Sequence, residues 1–579
     1  MSSKKFGLAA AAFIVVTSLL VGGIVGTPAR QVFSSGVDTD QAASIEQAYN
    51  EAVATVAANY ADEIDYEKAN QAAIQGMLYA LDPHSNFFIQ AEYTRLLQHQ
   101  DSRYVGIGVT ITRHRDGVYI QSLFDGAPAV RAGLRYGDRI DEVDGKDARE
   151  WSITQVSTAV RGERGKPVTL KLNRAGANAP LYRTINRDSV PLPTISAAYM
   201  MRSGTGYVAL SRGFNHTTAE ELRAALKALE REGMRQLVLD LRNNPGGLLD
   251  QSISVASQFV GRGQTVVSVR GRDERQSKVY KNIGTDPVDY PLVVLINRGS
   301  ASASEIVAGA IQDHGRGLVI GETSFGKGLV QRVFPLPFGA GLTLTTAKYY
   351  TPYGRLIQRD YSNGSLYDYY VRQDPTSGTT TPTTVLPPVP RSPSMPTQPA
   401  APGVAPLPAP IPHPTPAGPA IRTAAGRVFY GGGGITPDVE VKSLEITSPT
   451  RARIYESAFR FARELAAGRV AGLESMRVDE PDFEHTLRPT DYVVTDRVVE
   501  AFRNFVRRDA PTGLTLSQIN ADLDYVKLRI RDELVIHAYG GDAGARVLIE
   551  SDPQLLRALD SLPDAKQLAE SVARTPVLN

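Results

Sequence analysis

The chain of 579 residues contains no cysteine. That absence removes disulfides, cysteine nucleophiles, thiolate metal sites and a lipid-modified cysteine at once, while remaining compatible with oxidising and reducing surroundings alike. An excess of one charge is also missing. The 63 basic and 61 acidic residues leave a net +2, without the basic stripe that nucleic acid requires, so no nucleic-acid partner is expected. Histidine is scarce, eight residues in all, and none forms a pair at metal-ligand spacing, so neither a metal nor another cofactor is expected. The remainder, 42% hydrophobic and 21% charged residues, is globular material, enough for roughly three or four domains.

One apolar run stands out at the start. Lys4 and Lys5 precede an uncharged stretch from Phe6 to Ala29, long enough to cross a bilayer core of about 30 Å as a helix. Lysines on that side favour keeping the N-terminus in the cytoplasm and sending the rest across. A cleaved signal peptide is the competing reading, but the sites near Thr27-Pro28-Ala29 suit cleavage poorly. Residues 1–30 are therefore expected to anchor the chain to the inner or cytoplasmic membrane, leaving its bulk extracytoplasmic, in the periplasm or cell envelope.

Periodicity divides the rest of the chain. Residues 31–102 carry helix-spaced apolar positions (Ile45, Tyr49, Val53, Val56, Met77, Leu78, Leu81), broken at Asp82-Pro83-His84-Ser85. Residues 103–186 read as short strands punctuated by Pro128, Gly133 and Gly137. Residues 187–370 alternate strands with helices, for example Tyr207–Leu210 and Leu237–Leu241 around the helical stretch Thr217–Glu232, and Leu292–Ile296 and Leu318–Ile320 around Ser302–Gln312. That alternation predicts an α/β core with a largely buried sheet within an α/β multidomain chain. Of the 37 prolines, 16 fall between 374 and 419, so 371–433 is expected to be an extended low-complexity insertion. Residues 434–445 read as a strand returning to the core, and 446–579 as a helical region.

Two clusters carry the chemistry. Gly299-Ser-Ala-Ser-Ala-Ser304 follows an apolar strand and opens a helical stretch. Such a turn exposes a side chain beside backbone N–H groups that have no helical acceptor and can stabilise an oxyanion. A helix N-cap is the plain alternative, and the local sequence leaves Ser300, Ser302 and Ser304 equivalent. The second cluster, Ser324-Phe-Gly-Lys-Gly-Leu-Val-Gln331, sets Lys327 between two glycines. A lysine kept neutral by burial can deprotonate a serine. If 327–331 is extended, Gln331 shares the face of Lys327 and can hold its amine without charging it. The near match of Gly321–Gly328 to a phosphate-binding loop fails at Gly328, where a hydroxyl is required, and a strand follows in place of the required helix. Asp313-His314 cannot easily serve one serine as a relay, since neighbouring residues do not face each other; a structural role is expected. In Asp240-Leu-Arg-Asn-Asn-Pro-Gly-Gly247 the glycines form an ordinary turn, or let a backbone N–H approach a substrate carbonyl closely.

These segments, with Tyr349–Gln358, Gly434-Ile-Thr-Pro-Asp and Gly76–Ser85, resemble the carboxyl-terminal processing proteases, the tail-specific serine peptidases. The resemblance covers residues 40–350 and 434–445. It implies Ser302 as nucleophile, Lys327 as general base, Gln331 as the residue orienting it, and the N–H groups of Ala303 and Gly247, or adjacent Gly246, as oxyanion hole. Residues 103–175 resemble the PDZ domain of these enzymes. There the loop Gly106-Ile107-Gly108-Val109 would capture the carboxylate of a protein or peptide substrate with an apolar C-terminus. Arg161 matches a position between PDZ domain and core, where it is expected to couple tail binding to the active site; a plain surface arginine is the alternative. The proline-rich insertion and the long C-terminal region depart from the pattern, and the N- or C-terminal helical regions are candidates for homo-oligomer or adaptor contacts. The expected function is Ser/Lys endopeptidase; a non-catalytic PDZ scaffold recruiting partners at the cell envelope is the alternative.

Overall fold

The computed structural model describes residues 39–361 and 418–574, apart from 125, 202–203, 285, 424–425 and 445–447. The expected anchor at 6–29 and most of the proline-rich insertion lie outside the described residues. No described helix is long and apolar enough to cross a membrane.

The chain forms two compact units, the first ending at Met77 and the second beginning at Leu78. The first carries α1 (Thr39–Asn59) and most of α2 (Tyr66–Tyr79), joined by a hydrogen bond from Tyr49 Oη to Asn70 Oδ1 of 3.1 Å. Ile45, Val56 and Tyr60 remain exposed.

The second unit opens with β1 (Asn86–Phe88), α3 (Gln90–Gln100) and β2 (Arg103–Gly106). The chain then breaks at Gly108, whose φ of +82° suits glycine. Beyond it run β3 (Val109–His114), β4 (Gly117–Leu123), β5 (Arg139–Val143), β6 (Lys146–Asp147), α4 (Ile153–Val160), β7 (Pro167–Asn173) and β8 (Leu181–Asn186). Their sheet has the order β3-β4-β5-β7-β8, with β6 on β5, around Ile107, Ile120, Ile140, Val156 and Leu170. α4 is fixed at its start by a capping box between Ser152 and Gln155. β9 (Asp188–Pro191) returns antiparallel to β2, so entry and exit of this domain are zipped together.

The core sheet comes next, formed by β10 (Ile195–Met200), β11 (Thr205–Leu210), β12 (Gln236–Asp240), β15 (Leu292–Ile296), β16 (Leu318–Gly321) and β21 (Val439–Glu440), in that order. All neighbours after β10–β11 are parallel. A parallel sheet must be covered on both faces, which is why Leu292–Ile296 is an unbroken apolar run with every residue buried. Helices α5 (Thr218–Arg231), α6 (Leu249–Ala256) and α7 (Ala303–Asp313) supply Leu222, Val255 and Val307 to one face. A second, antiparallel sheet has β13 (Thr265–Gly271), β14 (Lys278–Lys281), β17 (Leu329–Pro335) and β18 (Gly341–Tyr350), with β1 on the edge of β18.

One expectation needs correcting. Residues 420–430, assigned to the structureless insertion, form an antiparallel hairpin of β19 (Ala420–Arg422) and β20 (Val428–Tyr430). Its cause is local: the last proline of the run is Pro419, after which every residue again has an N–H for the ladder. Phe429 also lies under the guanidinium of Arg355, 4.6 Å away.

The C-terminal region is helical. α8 (Pro449–Ala466), α9 (Asp496–Arg508), α10 (Leu523–Tyr539) and α11 (Gly541–Ile549) precede α12 (Pro553–Asp560) and α13 (Leu562–Arg574). α9 is amphipathic, burying Val498, Val499, Phe502 and Val506 at helical spacing. α12 and α13 close the other face of the core sheet, with Leu555, Ala558, Leu562 and Ala565 against Val238, Val293 and Leu295. α8 and α10 pack on the β3–β8 domain, where His114 stacks on Phe459 at 3.7 Å and bonds Glu456 at 2.6 Å.

Candidate active site

β15 delivers the chain into the turn Asn297–Ala301, and α7 begins at Ala303. The three serines separate here. Ser300 and Ser304 are fully buried, and their hydroxyls donate to the carbonyls of Leu241 and Asn244 at 2.8 and 3.0 Å. Both are structural. The Ser302 hydroxyl has no acceptor among the described residues, and its side chain is only partly buried. Its backbone adopts φ 54°, ψ −110°, a conformation that costs a non-glycine residue about 1–3 kcal/mol.

Glu305, on the first turn of α7, holds that conformation. It is fully buried. Its Oε2 accepts the N–H of Ser302 at 2.7 Å and of Lys327 at 2.9 Å. Its Oε1 accepts the N–H of Gly326 at 2.7 Å and the hydroxyl of Ser324 at 2.5 Å. Burial raises its pKa, and these four bonds oppose the rise. Tyr349, from β18, donates its hydroxyl towards the carbonyls of both Ser302 and Lys327. One carboxylate and one phenol thus join loops 22 to 25 residues apart.

Lys327 Nζ donates to Gln331 Oε1 at 2.9 Å. The strand begins only at Leu329, and its register slips between Val330 and Gln331, so an irregular strand makes the contact where a regular one was expected. Desolvation lowers the Lys327 pKa to about 8, against the opposing charges of Glu305 and Asp82. Ser302 Oγ and Lys327 Nζ make no direct hydrogen bond.

A histidine outside the two sequence clusters stands beside them. Gln331 Nε2 donates to the His84 carbonyl at 2.7 Å. Burial, with the charges of Lys327 and Arg359, lowers the His84 imidazole to about 3, which removes it as an effective base at neutral pH. His314, at the end of α7, bonds the Thr265 carbonyl at 2.7 Å, and Asp313 pairs with Arg355 at 2.5 Å. Both are structural.

Gly246 and Gly247 face the serine turn. A Cβ on Gly246 would meet Ser302 Cβ at 2.7 Å and Ala303 N at 2.9 Å, and its φ is +94°, so only glycine fits. Its N–H donates to Asn244 Oδ1 at 2.9 Å. The Gly247 N–H stays outside the bridge that its neighbours make with Phe214, and Ala303 N–H lies in the acceptor-free first turn of α7.

In the β3–β8 domain, Gly106, Ile107 and Val109 line a cleft with Tyr104, Val160 and Arg161. Gly108 packs so tightly that a Cβ would approach Ala127 Cβ to 2.2 Å. The Arg161 guanidinium sits over the Tyr104 ring at 5.0 Å, and burial raises the Tyr104 pKa. Among the described residues no acidic and histidine cluster could hold a metal ion.

Residues 204–371 match the model of peptidase family S41, and 122–174 match a PDZ domain. The chain is 40% identical over 299 residues to the carboxy-terminal-processing protease of Bartonella bacilliformis, covering 51% of this chain and 68% of that one. It belongs to the carboxy-terminal processing proteases of family S41. The carboxy-terminal processing protease CtpB of Bacillus subtilis is 34% identical over 318 residues, covering 54% of this chain and 65% of that one. A solved photosystem II D1 C-terminal processing protease is 34% identical, with 52% and 81% of the two chains covered and a TM-score of 0.31. By its family, the protein is a serine peptidase built on an α/β core, with a PDZ domain and a helical C-terminal region.

Proposed function

We propose that this peptidase cleaves proteins selected by their C-terminal tails, using Ser302 as nucleophile and Lys327 as general base. The observation that carries the reading is the Lys327 amine, desolvated to a pKa of about 8 and held by a neutral amide. The neutral amine takes the Ser302 Oγ proton as oxygen attacks the scissile carbonyl carbon. The N–H groups of Ala303 and Gly247 receive the oxyanion; the Gly246 N–H is already committed to Asn244. Protonated Lys327 then gives its proton to the leaving amine, and an acyl-enzyme ester remains. Water, deprotonated by the same amine, releases the acyl group. The serine–lysine contact tightens when substrate occupies the site, as catalytic hydrogen bonds commonly do.

The PDZ cleft receives the tail as an added strand, its carboxylate on the N–H groups of the Gly106–Val109 loop. Arg161 lines this same cleft, its guanidinium over the Tyr104 ring, which supports a coupling role for that residue. Lys4, Lys5 and the apolar run Phe6–Ala29 support an extracytoplasmic, membrane-anchored enzyme. Protease added outside spheroplasts should degrade it; protection would refute that location.

The decisive test compares the purified protein with its Ser302→Ala and Lys327→Ala forms on an unfolded reporter ending in apolar or charged residues. Cleavage by the parent alone, faster with the apolar tail, is expected. Cleavage by either variant at the parent rate would remove the dyad, and equal rates on both tails would remove tail selection.

A further inference from the structure

A lysine base works only if its lone pair stays open, and something must keep Gln331 from turning its amide around. The His84 carbonyl is that element. A carbonyl can only accept, so the group facing it across 2.7 Å must be the Gln331 NH₂. The amide is planar, so Oε1 then faces the other way, where Lys327 Nζ donates to it at 2.9 Å. An amine bonded to an oxygen acceptor spends one N–H and keeps its lone pair. Reversed, the amide NH₂ would donate into that lone pair and consume the base.

The carbonyl is fixed by a turn tied on itself and on the core. Asp82 Oδ1 accepts the N–H of His84 at 2.8 Å and of Ser85 at 2.9 Å, and its Oδ2 accepts the Ser85 hydroxyl at 2.7 Å. Ser85 Oγ accepts the N–H of Thr345 on β18 at 3.1 Å, and the next residues continue as β1 on the same strand. Asp82, His84 and Ser85 are all buried.

We propose that the Asp82–Ser85 turn belongs to the catalytic apparatus: its His84 carbonyl sets the Gln331 amide so that the Lys327 lone pair stays open to Ser302. Asp82 and Ser85 are positioning residues, and the inference rests on the Ser302/Lys327 reading above.

A double-mutant cycle on the full chain tests it, with thermal melting to confirm that each variant is folded. Gln331→Ala sets the size of the effect. Asp82→Ala should lower kcat by a similar factor, roughly 10- to 100-fold, with KM within about twofold, and Asp82/Gln331 doubly replaced by alanine should be no slower than Gln331→Ala alone. Asp82→Asn, which keeps an acceptor for the two N–H groups, should recover most of the rate. If Asp82→Ala is unfolded, Ser85→Ala should show the same non-additivity at smaller amplitude. Effects that multiply in the double variant, or a folded Asp82→Ala with parental kcat beside a slow Gln331→Ala, would overturn the inference while leaving the dyad standing. Parental activity in Lys327→Ala would remove both.

Discussion

Glu305 and the Asp532–Glu533 pair are all buried carboxylates, yet they organise the molecule in opposite ways. Glu305 is met by four neutral donors, three of them backbone N–H groups. Backbone donors cannot swing away, so this carboxylate fixes where two loops lie. Asp532 and Glu533 are met by a guanidinium, Arg529, at 2.7 Å each, and Glu533 also accepts from Tyr136 of the PDZ domain. Burial raises the pKa of both. A matched cation decides which elements associate, leaving exact placement to the packing around it. One arrangement builds the proposed active site and the other docks the C-terminal helices on the PDZ domain.

The comparison can be broken at either end. Glu305→Ala strands the N–H groups that align Ser302 and Lys327; kcat/KM should fall by about three orders of magnitude, since misplacement by an ångström already costs about 100-fold. Turnover assays beside titration of a tail peptide would check it, because tail binding should survive. Arg529→Met leaves two buried acids without their cation and should cost about 3–5 kcal/mol. Denaturant unfolding and limited proteolysis would show it, with activity per folded molecule retained; a kcat loss matching that of Glu305→Ala would erase the distinction.

Smaller effects sharpen it. Only the neutral Lys327 amine is a base, so kcat/KM should rise with pH to a plateau above about 8 and drop tenfold per unit below. Glu305 raises the Lys327 pKa by its charge, so Glu305→Gln should move the midpoint to lower pH while reducing the plateau. A profile flat from pH 5 to about 9 would count against this base.

The legible parts of this molecule are those whose physics is local. Leu292–Ile296 reads as a doubly covered strand because such a strand is apolar at every position. Ser302, Lys327 and Gln331 lie within 30 residues, and their glycine-rich flanks betray close backbone approach. Three serines at alternate positions were not separable, because what distinguishes them is the distant carbonyls, Leu241 and Asn244, that two of them reach. Glu305 read only as a residue of a helical stretch, and His84 only as part of a helix break.

The sequence by itself determined the chemistry available, no thiol but a serine, a lysine and an amide at fixed spacing, together with the runs that become strands and helices. Hydrophobic period and turn residues act over a few positions, so they can be read without knowing the fold. Tertiary structure alone decided which serine keeps its hydroxyl unspent, that Glu305 ties two loops together, that residues 82–85 reach Gln331, and that α12 and α13 cover the far side of the core sheet. Each depends on groups tens to hundreds of residues apart meeting within 3 Å or in one apolar layer, and no local pattern encodes such a meeting.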